Sequence, residues 1–185
     1  MEGFIPSLSR PRVLIRHEDV VAEETATSHK GTPPSGELMG QDTMCWENIP
    51  VATEIPELTV RPDLRQVFMF SAITWNRHHI HYSKDAAIRE GLPDVVVQRG
   101  LIGNFLARMI TNWMGTRAEL RKLTWKVTRS APAGKDIVCR GKVSEKAETA
   151  DERHLICEVT ASSETEGLIA SGEATVSFAR NPSRG

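Results

Sequence analysis

Apolar residues recur at helical spacing along the central part of the chain. One set predicts a helix over residues 63–74, with Asp63 as its N-terminal cap. The apolar face of this helix is formed by Leu64, Val67, Phe68, Ser71 and Ala72. A second, shorter helix is predicted over residues 83–90, because Ser83 can cap its start and Gly91 follows its last turn.

Residues 99–115 predict a helix that is buried on most of its sides. Its apolar residues cover well over half of the helix circumference, and Gly103 and Ala107 leave room for the close approach of another element. The apolar residues are Leu101, Ile102, Phe105, Leu106, Met109, Ile110 and Trp113. Other elements must enclose such a helix, and the rest of the chain supplies a sheet.

Four segments after this helix alternate apolar and polar residues, which predicts β-strands. Their apolar sets begin at Leu123, Ile137, Leu155 and Ala170. Turn-forming residues such as Gly134 and Gly167 separate them, so the pattern predicts an antiparallel meander with one face on the buried helix. Residues 53–60, which Pro56 interrupts, are predicted to form an extended edge.

Length and composition place these elements in one domain of the α+β class. The chain has 185 residues, which suits a single domain with an appendage. Residues 1–45 are predicted as a loop-rich N-terminal extension, residues 46–180 as the folded domain and residues 181–185 as a tail.

Charge, cysteine content and hydropathy exclude several classes of partner and location. The chain has 23 basic and 24 acidic residues, so a nucleic-acid partner is not expected. No run approaches the ~18 apolar residues of a membrane span, and the N-terminus lacks the apolar core of a signal peptide. The three cysteines match no zinc spacing and are expected to be reduced thiols. We therefore expect a soluble, cytoplasmic protein that binds neither nucleic acid nor a membrane.

The residues best suited to chemistry are three clustered histidines, His78, His79 and His81, which follow Asn76. Imidazole is the side chain best poised for proton transfer near neutral pH. One interpretation is that these histidines have no functional role. A second is acid–base catalysis without a metal, with His81 working beside Asn76.

A metal site is the third interpretation. His79 and His81 form a His-x-His pair, and Asp85 follows at about the spacing of a cupin-type ligand. However, Asp85 is predicted to lie on a helix, and the long buried helix has no place in an all-β cupin. No metal is therefore expected.

The stretch Phe-Ser-Ala-Ile-Thr-Trp-Asn-Arg-His-His-Ile-His-Tyr over residues 70–82 resembles the motif of the MaoC-like, R-specific hydratases and dehydratases. The family motif, Gly-Asp-any-Asn-Pro-aliphatic-His, aligns its catalytic histidine with His81 and its catalytic aspartate with Asn76. The stretch is more similar to the subgroup of 3-hydroxyacyl-thioester dehydratases and mesaconyl-CoA hydratases, in which asparagine is normal. Only Ile73, Trp75 and His79 differ from that subgroup's pattern, and the resemblance covers about residues 46–178.

This resemblance implies a single hot-dog fold, in which a curved antiparallel sheet wraps around one long buried helix. The apolar pattern predicts the same architecture independently. The resemblance also implies a lyase of fatty acid metabolism that adds water reversibly, with syn geometry, to a 2-enoyl thioester of CoA or a carrier protein. Such an enzyme needs no cofactor. A single hot-dog leaves a sheet edge open, so a homodimer or a hetero-oligomer with another hot-dog chain is expected.

The resemblance also assigns roles to the motif residues. His81 would be the catalytic base and acid. Asn76 would orient the water or His81, because an amide does not transfer protons at ordinary pH. His78 would assist.

The thioester oxygen would be held at the start of the buried helix, by Gln98, Arg99 and Gly100, where free N–H groups are available. The family typically has His-Gly where this chain has Gln98 and Arg99. The Arg99 side chain could contact the ligand or pair with an acid such as Asp94, and the second is the expectation.

A slot for the acyl chain and a basic entrance for the carrier phosphate are also expected. The residues predicted to line the slot are Trp75, Phe105, Met109 and Trp113. The basic residues predicted near the entrance are Arg77, Lys84, Lys122 and Arg129.

Two other functions remain open. A non-catalytic, acyl-CoA-binding subunit of a hetero-oligomer would suit the asparagine at position 76. A hot-dog thioesterase would need a carboxylate near the helix, and neither Glu119 nor Asp94 is well placed for that role.

Overall fold

The structure is a computed structural model, and it describes residues 45–149 and 152–179. The elements, in chain order, are a 3-10 helix at Trp46–Asn48, β1 (Glu54–Val60), α1 (Leu64–Thr74), a 3-10 helix at His79–His81, α2 (Lys84–Arg89), α3 (Arg99–Met114), β2 (Ala118–Val127), β3 (Ile137–Glu148), β4 (Glu152–Ser163) and β5 (Gly167–Ala179). Apart from Cys45, the predicted extension and tail lie outside the described residues, so the predicted domain boundaries stay a prediction. Within the described ranges, no helix is long and apolar enough to cross a membrane.

The strands form one antiparallel sheet in the order β1-β3-β4-β5-β2. β3, β4 and β5 form a meander, but the prediction that β2 belongs to it is wrong, because β2 pairs with β5 at the far edge. The chain after β2 cannot turn straight back into β3, because it first pairs with the segment before α3: Val97 N–H donates to Ala131 O over 2.8 Å, and Ala133 N–H donates to Val95 O over 2.8 Å.

β1 is an edge strand, as predicted. Its register with β3 shifts between Ile55 and Leu58, on either side of Pro56. A proline has no N–H to give to a ladder, so this irregularity and the edge position accommodate it.

α3 lies against the sheet and contacts all five strands. Its buried residues are Leu101, Ile102, Gly103, Phe105, Leu106, Met109, Ile110 and Met114. The inward-facing strand residues are fully buried too, among them Ile137, Cys139, Leu155 and Val176. The prediction of a buried central helix under a half-solvated sheet is thus confirmed.

Gly103 allows α3 to approach the sheet closely, as predicted. A Cβ at this position would overlap the indole ring of Trp125 on β2. The ring is held there because Trp125 Nε1–H donates to Arg99 O over 3.0 Å. The first turn of α3 is therefore fixed to the sheet.

α1 begins at its predicted cap, where Asp63 Oδ1 accepts a hydrogen bond from Gln66 N–H over 2.7 Å. The predicted apolar face is wrong for most of its members. Val67 and Ser71 are buried, whereas Leu64 is 59% and Phe68 is 53% exposed, and Ala72 is exposed as well. The reason is that α1 buries only a narrow stripe of residues spaced four apart, too narrow for a full amphipathic face.

Candidate active site

The histidine segment follows directly from the way α1 ends. Trp75 caps the helix with φ = 55°, a left-handed conformation that is uncommon for a residue other than glycine. Asn76 N–H then donates to Ser71 O over 2.9 Å, and the Tyr82 hydroxyl donates to Arg77 O over 2.9 Å. These bonds fold residues 75–82 into a tight turn that places His81 in the interior.

His81 is a buried imidazole with one fixed nitrogen. It is 8% exposed, and its Nδ1 lies 2.8 Å from the carbonyl oxygen of Val96. A carbonyl oxygen can only accept, so Nδ1 carries the hydrogen and Nε2 is the basic nitrogen of the neutral ring.

The electrostatic surroundings of His81 favour that neutral form. Burial lowers the pKa of His81 below its ordinary value, and the hydrogen bond to Val96 O opposes this effect. The neighbouring His78 lowers the pKa further, while the charge of Glu90 raises it. His81 therefore resembles a base that stays unprotonated at neutral pH and is ready to accept a proton.

Asn76 shapes the loop. Its Oδ1 accepts a hydrogen bond from His78 N–H over 3.1 Å, which is the geometry of an Asx turn. This bond reaches the backbone of His78 rather than the ring of His81. The role predicted for Asn76, orienting water or His81, stays a prediction.

His78 lies between His81 and an acidic residue. Its ring centroid is 5.9 Å from that of His81, with an interplanar angle of 86°. Its Nε2 is 3.0 Å and 3.1 Å from the two carboxylate oxygens of Glu90, the residue that caps the end of α2. Sequence reasoning missed Glu90, because only the return of α2 towards the histidine turn brings the two residues together.

Gln98, the N-cap of α3, ties α3 to α1. It is 2% exposed, and its Nε2 donates to Val67 O and to Ser71 Oγ, each over 2.7 Å. The first N–H groups of an α-helix have no intrahelical partner, and in α3 the side chain of Gln98 does not cap them. Gly100 lies in the first turn, where a Cβ would approach the ring of Phe70 to 3.3 Å.

The expected pair between Arg99 and Asp94 is wrong. Asp94 Oδ2 instead lies 2.9 Å from Lys84 Nζ, and that hydrogen bond lowers the pKa of Asp94 below its ordinary value. Arg99 lies over β2, with its Nη2 3.5 Å from Trp125 O. The turn after α2 brings Lys84 closer to Asp94 than the start of α3 brings Arg99.

The predicted acyl-slot residues do not share one surface in this chain. Phe105 and Met109 are 4% and 1% exposed and belong to the core, and Trp113 packs against that core. Trp75, in contrast, is 77% exposed. These four side chains therefore do not line one surface within this chain, because α3 turns its apolar residues into the sheet, and an acyl slot formed by them stays a prediction.

A cavity lies next to the histidine turn. Its volume is about 330 Å³, and it is lined by Arg77, His78, His79, Ala86, Arg89 and Glu90. Of the predicted basic residues, Arg77 faces this cavity. The others lie elsewhere: Lys84 is paired with Asp94, Arg129 Nη1 donates to Glu166 O over 2.9 Å, and Lys122 is exposed on β2.

Two other chemistries, metal binding and nucleophilic attack by a cysteine thiol, find little support in the described residues. In the part of the chain that the structure describes, no three His, Cys, Asp or Glu side chains converge as metal ligands; His79 packs on Tyr82, with ring centroids 5.4 Å apart. Burial raises the pKa of the Cys139 thiol to about 12 and that of Cys157 to about 11, so neither is an activated nucleophile.

Comparison with known proteins identifies a family that this chain resembles. The sequence profile of the family described as Hydroxyacyl-thioester dehydratase type 2 matches residues 16–135, and thus begins within the predicted N-terminal extension. Mesaconyl-C(4)-CoA hydratase of Chloroflexus aurantiacus is 39% identical over 150 residues, which cover 58% of this chain and 54% of that protein. The chain spans about half the length of this relative.

Solved structures confirm the predicted hot-dog fold. The unliganded R-hydratase PhaJ1 of Pseudomonas aeruginosa superposes with a TM-score of 0.65 at 18% identity, covering 74% of this chain and 86% of that one. A chain of the ChsH1-ChsH2 complex of Mycobacterium tuberculosis superposes with a TM-score of 0.62 at 19% identity, covering 70% and 98%.

Proposed function

Because the chain belongs to the hydroxyacyl-thioester dehydratase type 2 family, we propose that it adds water reversibly to a 2-enoyl thioester and gives a 3-hydroxyacyl thioester. The observation that carries this proposal is the buried His81, whose Nδ1–H is held by Val96 O and whose Nε2 is left as the base.

In the hydration direction, Nε2 of His81 takes a proton from water while the water oxygen bonds to C3 of the acyl group. The π electrons of the C2–C3 double bond then move towards the thioester carbonyl, whose oxygen gains enolate charge. The imidazolium returns its proton to C2 from the same face, so that H and OH add syn and His81 ends neutral. This sequence balances with His81 as the single proton carrier, and it requires no cofactor.

The N-terminus of α3 is the proposed binding site for the thioester oxygen. The backbone N–H groups of Arg99 and Gly100 lie in its first turn, and Gln98 does not cap them. This turn starts only a few residues after Val96, whose carbonyl oxygen orients His81. Fixed N–H donors of this kind stabilise a developing oxyanion better than water does, because they need no reorganisation.

The thioesterase alternative is not favoured, because the two carboxylates near α3 are already paired. Asp94 is bound to Lys84, and Glu119 Oε2 lies 3.2 Å from Arg121 Nη1. Neither is left to activate water beside the start of the helix.

The proposal includes a second hot-dog chain as partner and a cytoplasmic location. Exposed apolar side chains on and after α1, including Phe68, Ile73 and Trp75, support a partner that covers them. The solved relative from Mycobacterium tuberculosis is itself named as a complex of two proteins. The free thiols of Cys45, Cys139 and Cys157 suit a reducing compartment.

The test is direct. The purified protein is incubated with crotonyl-CoA, a longer enoyl-CoA and, because one relative is named for it, mesaconyl-CoA, and the loss of enoyl absorbance is followed. His81→Ala should lower kcat by about 10²–10⁴-fold, the usual contribution of a general acid–base group. His79→Ala is the matched control, since His79 is exposed in the same turn and packs on Tyr82.

Activity that survives intact in His81→Ala would exclude His81 as the base. Release of free thiol in place of hydration would indicate a thioesterase. Absence of turnover with every enoyl thioester, together with copurification of a second hot-dog chain, would indicate a non-catalytic subunit, as the asparagine at position 76 allows.

A further inference from the structure

The side-chain amide of Gln98, at the start of α3, is buried and directed towards α1. The side chain is 2% exposed, and its Nε2 donates to Val67 O and to Ser71 Oγ, each over 2.7 Å. Within the ranges that the structure describes, its Oε1 has no hydrogen-bond partner. A buried oxygen without a partner costs free energy, which an apolar side chain of similar length would avoid. Stability alone therefore does not explain an amide at this position.

The two residues that Gln98 binds are also the points at which α1 is attached to the domain. Val67 and Ser71 are the buried residues of α1, and Phe70 packs against the core in part. Large apolar side chains elsewhere on this helix, such as Phe68 and Ile73, are exposed. With so little of α1 buried, the two hydrogen bonds from Gln98 have a large share in fixing its position relative to α3.

The histidine turn, residues 75–82, is held at both ends by the segment that leads into α3. At its start, Asn76 N–H donates over 2.9 Å to the carbonyl oxygen of Ser71, whose hydroxyl accepts from Gln98. Near its end, His81 Nδ1 lies 2.8 Å from the carbonyl oxygen of Val96, two residues before Gln98. A shift of Ser71 would therefore move the start of the turn while Val96 still holds its end, and the imidazole of His81 would change its orientation.

We propose that Gln98 is a positioning residue, whose amide holds the histidine turn, through Ser71, in a fixed place relative to the first turn of α3. Its consequence for catalysis rests on the proposed function. There, His81 transfers the proton while the first N–H groups of α3 stabilise the thioester oxygen, so both must be placed correctly on one substrate. Gln98 contacts neither reacting group, but a displacement of about 1 Å between them can lower a rate about 10²-fold.

The first test replaces Gln98 by methionine, which keeps the length of the side chain and removes its donors. With crotonyl-CoA as substrate, kcat should fall about 10–100-fold while KM changes by less than about three-fold, because positioning acts on the transition state. The matched control is Ile110→Val, a fully buried position roughly three turns further along α3, which should keep the wild-type kcat. Urea unfolding checks that both variants are folded under the assay conditions. An unchanged kcat in Gln98→Met would overturn the proposal.

A second variant, Ser71→Ala, removes one acceptor of the amide without changing Gln98. It should lower kcat in the same direction but less, by about 3–10-fold, because the hydrogen bond to Val67 O remains. The double variant should be no more than about three-fold slower than Gln98→Met alone, since both substitutions break one contact. Effects on kcat that multiply in full would overturn the proposal, because Gln98 would then act independently of Ser71.

Amide hydrogen exchange followed by NMR tests the positioning without any turnover. The amide of Asn76 should exchange at least about ten-fold faster in Gln98→Met than in the wild type, whereas that of Val159, in the core of the sheet, should not change. Ile110→Val should leave the exchange at Asn76 as it is. A lower kcat with unchanged exchange at Asn76 would overturn the proposal, because the histidine turn would not depend on Gln98.

The exchange measurement also separates this inference from the proposed function. If the wild-type protein hydrates no enoyl thioester, the hydratase is refuted, and exchange at Asn76 still decides whether Gln98 holds the turn: faster exchange in Gln98→Met supports this role, and unchanged exchange overturns it. If the wild type is active and Gln98→Met is equally active, the hydratase stands and the positioning role is refuted.

Discussion

Replacing Gly103 by alanine tests how tightly α3 is held against the sheet. The added Cβ would lie 2.5 Å from Cε2 and 2.7 Å from Cη2 of Trp125, well inside normal contact distance. The indole cannot rotate away freely, because its Nε1–H donates to Arg99 O. Either the ring moves and that hydrogen bond breaks, or the helix shifts.

Three contributions set the change in the free energy of unfolding: two are destabilising and one is stabilising. Overpacking a core costs about 1–3 kcal/mol, and a lost neutral hydrogen bond costs about 0.5–1.5 kcal/mol. Alanine is favoured over glycine within a helix by about 1 kcal/mol, which offsets part of that cost. We therefore expect Gly103→Ala to lower the free energy of unfolding by about 1–3 kcal/mol.

Urea unfolding of the single and double variants measures this value. In a Trp125→Val background the steric overlap is gone, so Gly103→Ala should become neutral or stabilising by up to about 1 kcal/mol. The two substitutions should therefore show a coupling energy of about 1–4 kcal/mol. If Gly103→Ala had the same effect in both backgrounds, the contact with Trp125 would not be the reason for the glycine.

Three further outcomes are expected. Asp63→Ala should lower the free energy of unfolding by about 1 kcal/mol in urea, because it removes the cap of α1; an unchanged midpoint would contradict this cap. Because burial lowers the pKa of His81 in the folded state, stability should be unaffected well above the unfolded pKa of about 6.5 and should be lost as the pH falls below it. His81→Gln should flatten this acid dependence, and an equally steep loss in the variant would assign it to other groups. Iodoacetamide at pH 8 should spare Cys139 and Cys157 in the native protein and modify the half-buried Cys45 first, as peptide mass mapping would reveal; rapid labelling of either buried thiol would contradict their burial.

The parts of the fold that were predictable are those in which local chemistry and burial agree. Asp63 caps α1 because its carboxylate can reach an N–H two or three residues ahead, whatever surrounds the helix. α3 was recognisable because its apolar residues exceed what one face can hold. The alternation of apolar residues likewise marked the strands, since it depends only on the pleat of each strand.

The parts that were not predictable depend on long-range geometry. Strand β2 pairs with β5, and the chain after β2 bonds to residues 95–97. The period of apolar residues along the sequence carries no information about either pairing. The same applies to Asp94, which binds Lys84 instead of Arg99, and to Glu90, which reaches His78 across a helix. Phe105 and Met109 were expected in a slot because large apolar side chains line both cores and ligand pockets.

The hydrogen bond between His81 and Val96 fixes the position of the proposed base relative to the start of α3. Val96 O accepts from His81 Nδ1–H, and Val96 N–H donates to Ile80 O over 3.2 Å, so the turn that carries the base is clamped directly to the segment that leads into α3. α2, which lies between these two points in sequence, carries Ala86 and Arg89 on the cavity wall. Exposed α2 residues such as Arg89 can therefore be exchanged with little effect on the position of the base relative to the start of α3, whereas Ala86 and Ala87 are buried. In a fold built this way, substitutions at exposed α2 positions can change the wall of the cavity while the position of the base is inherited unchanged.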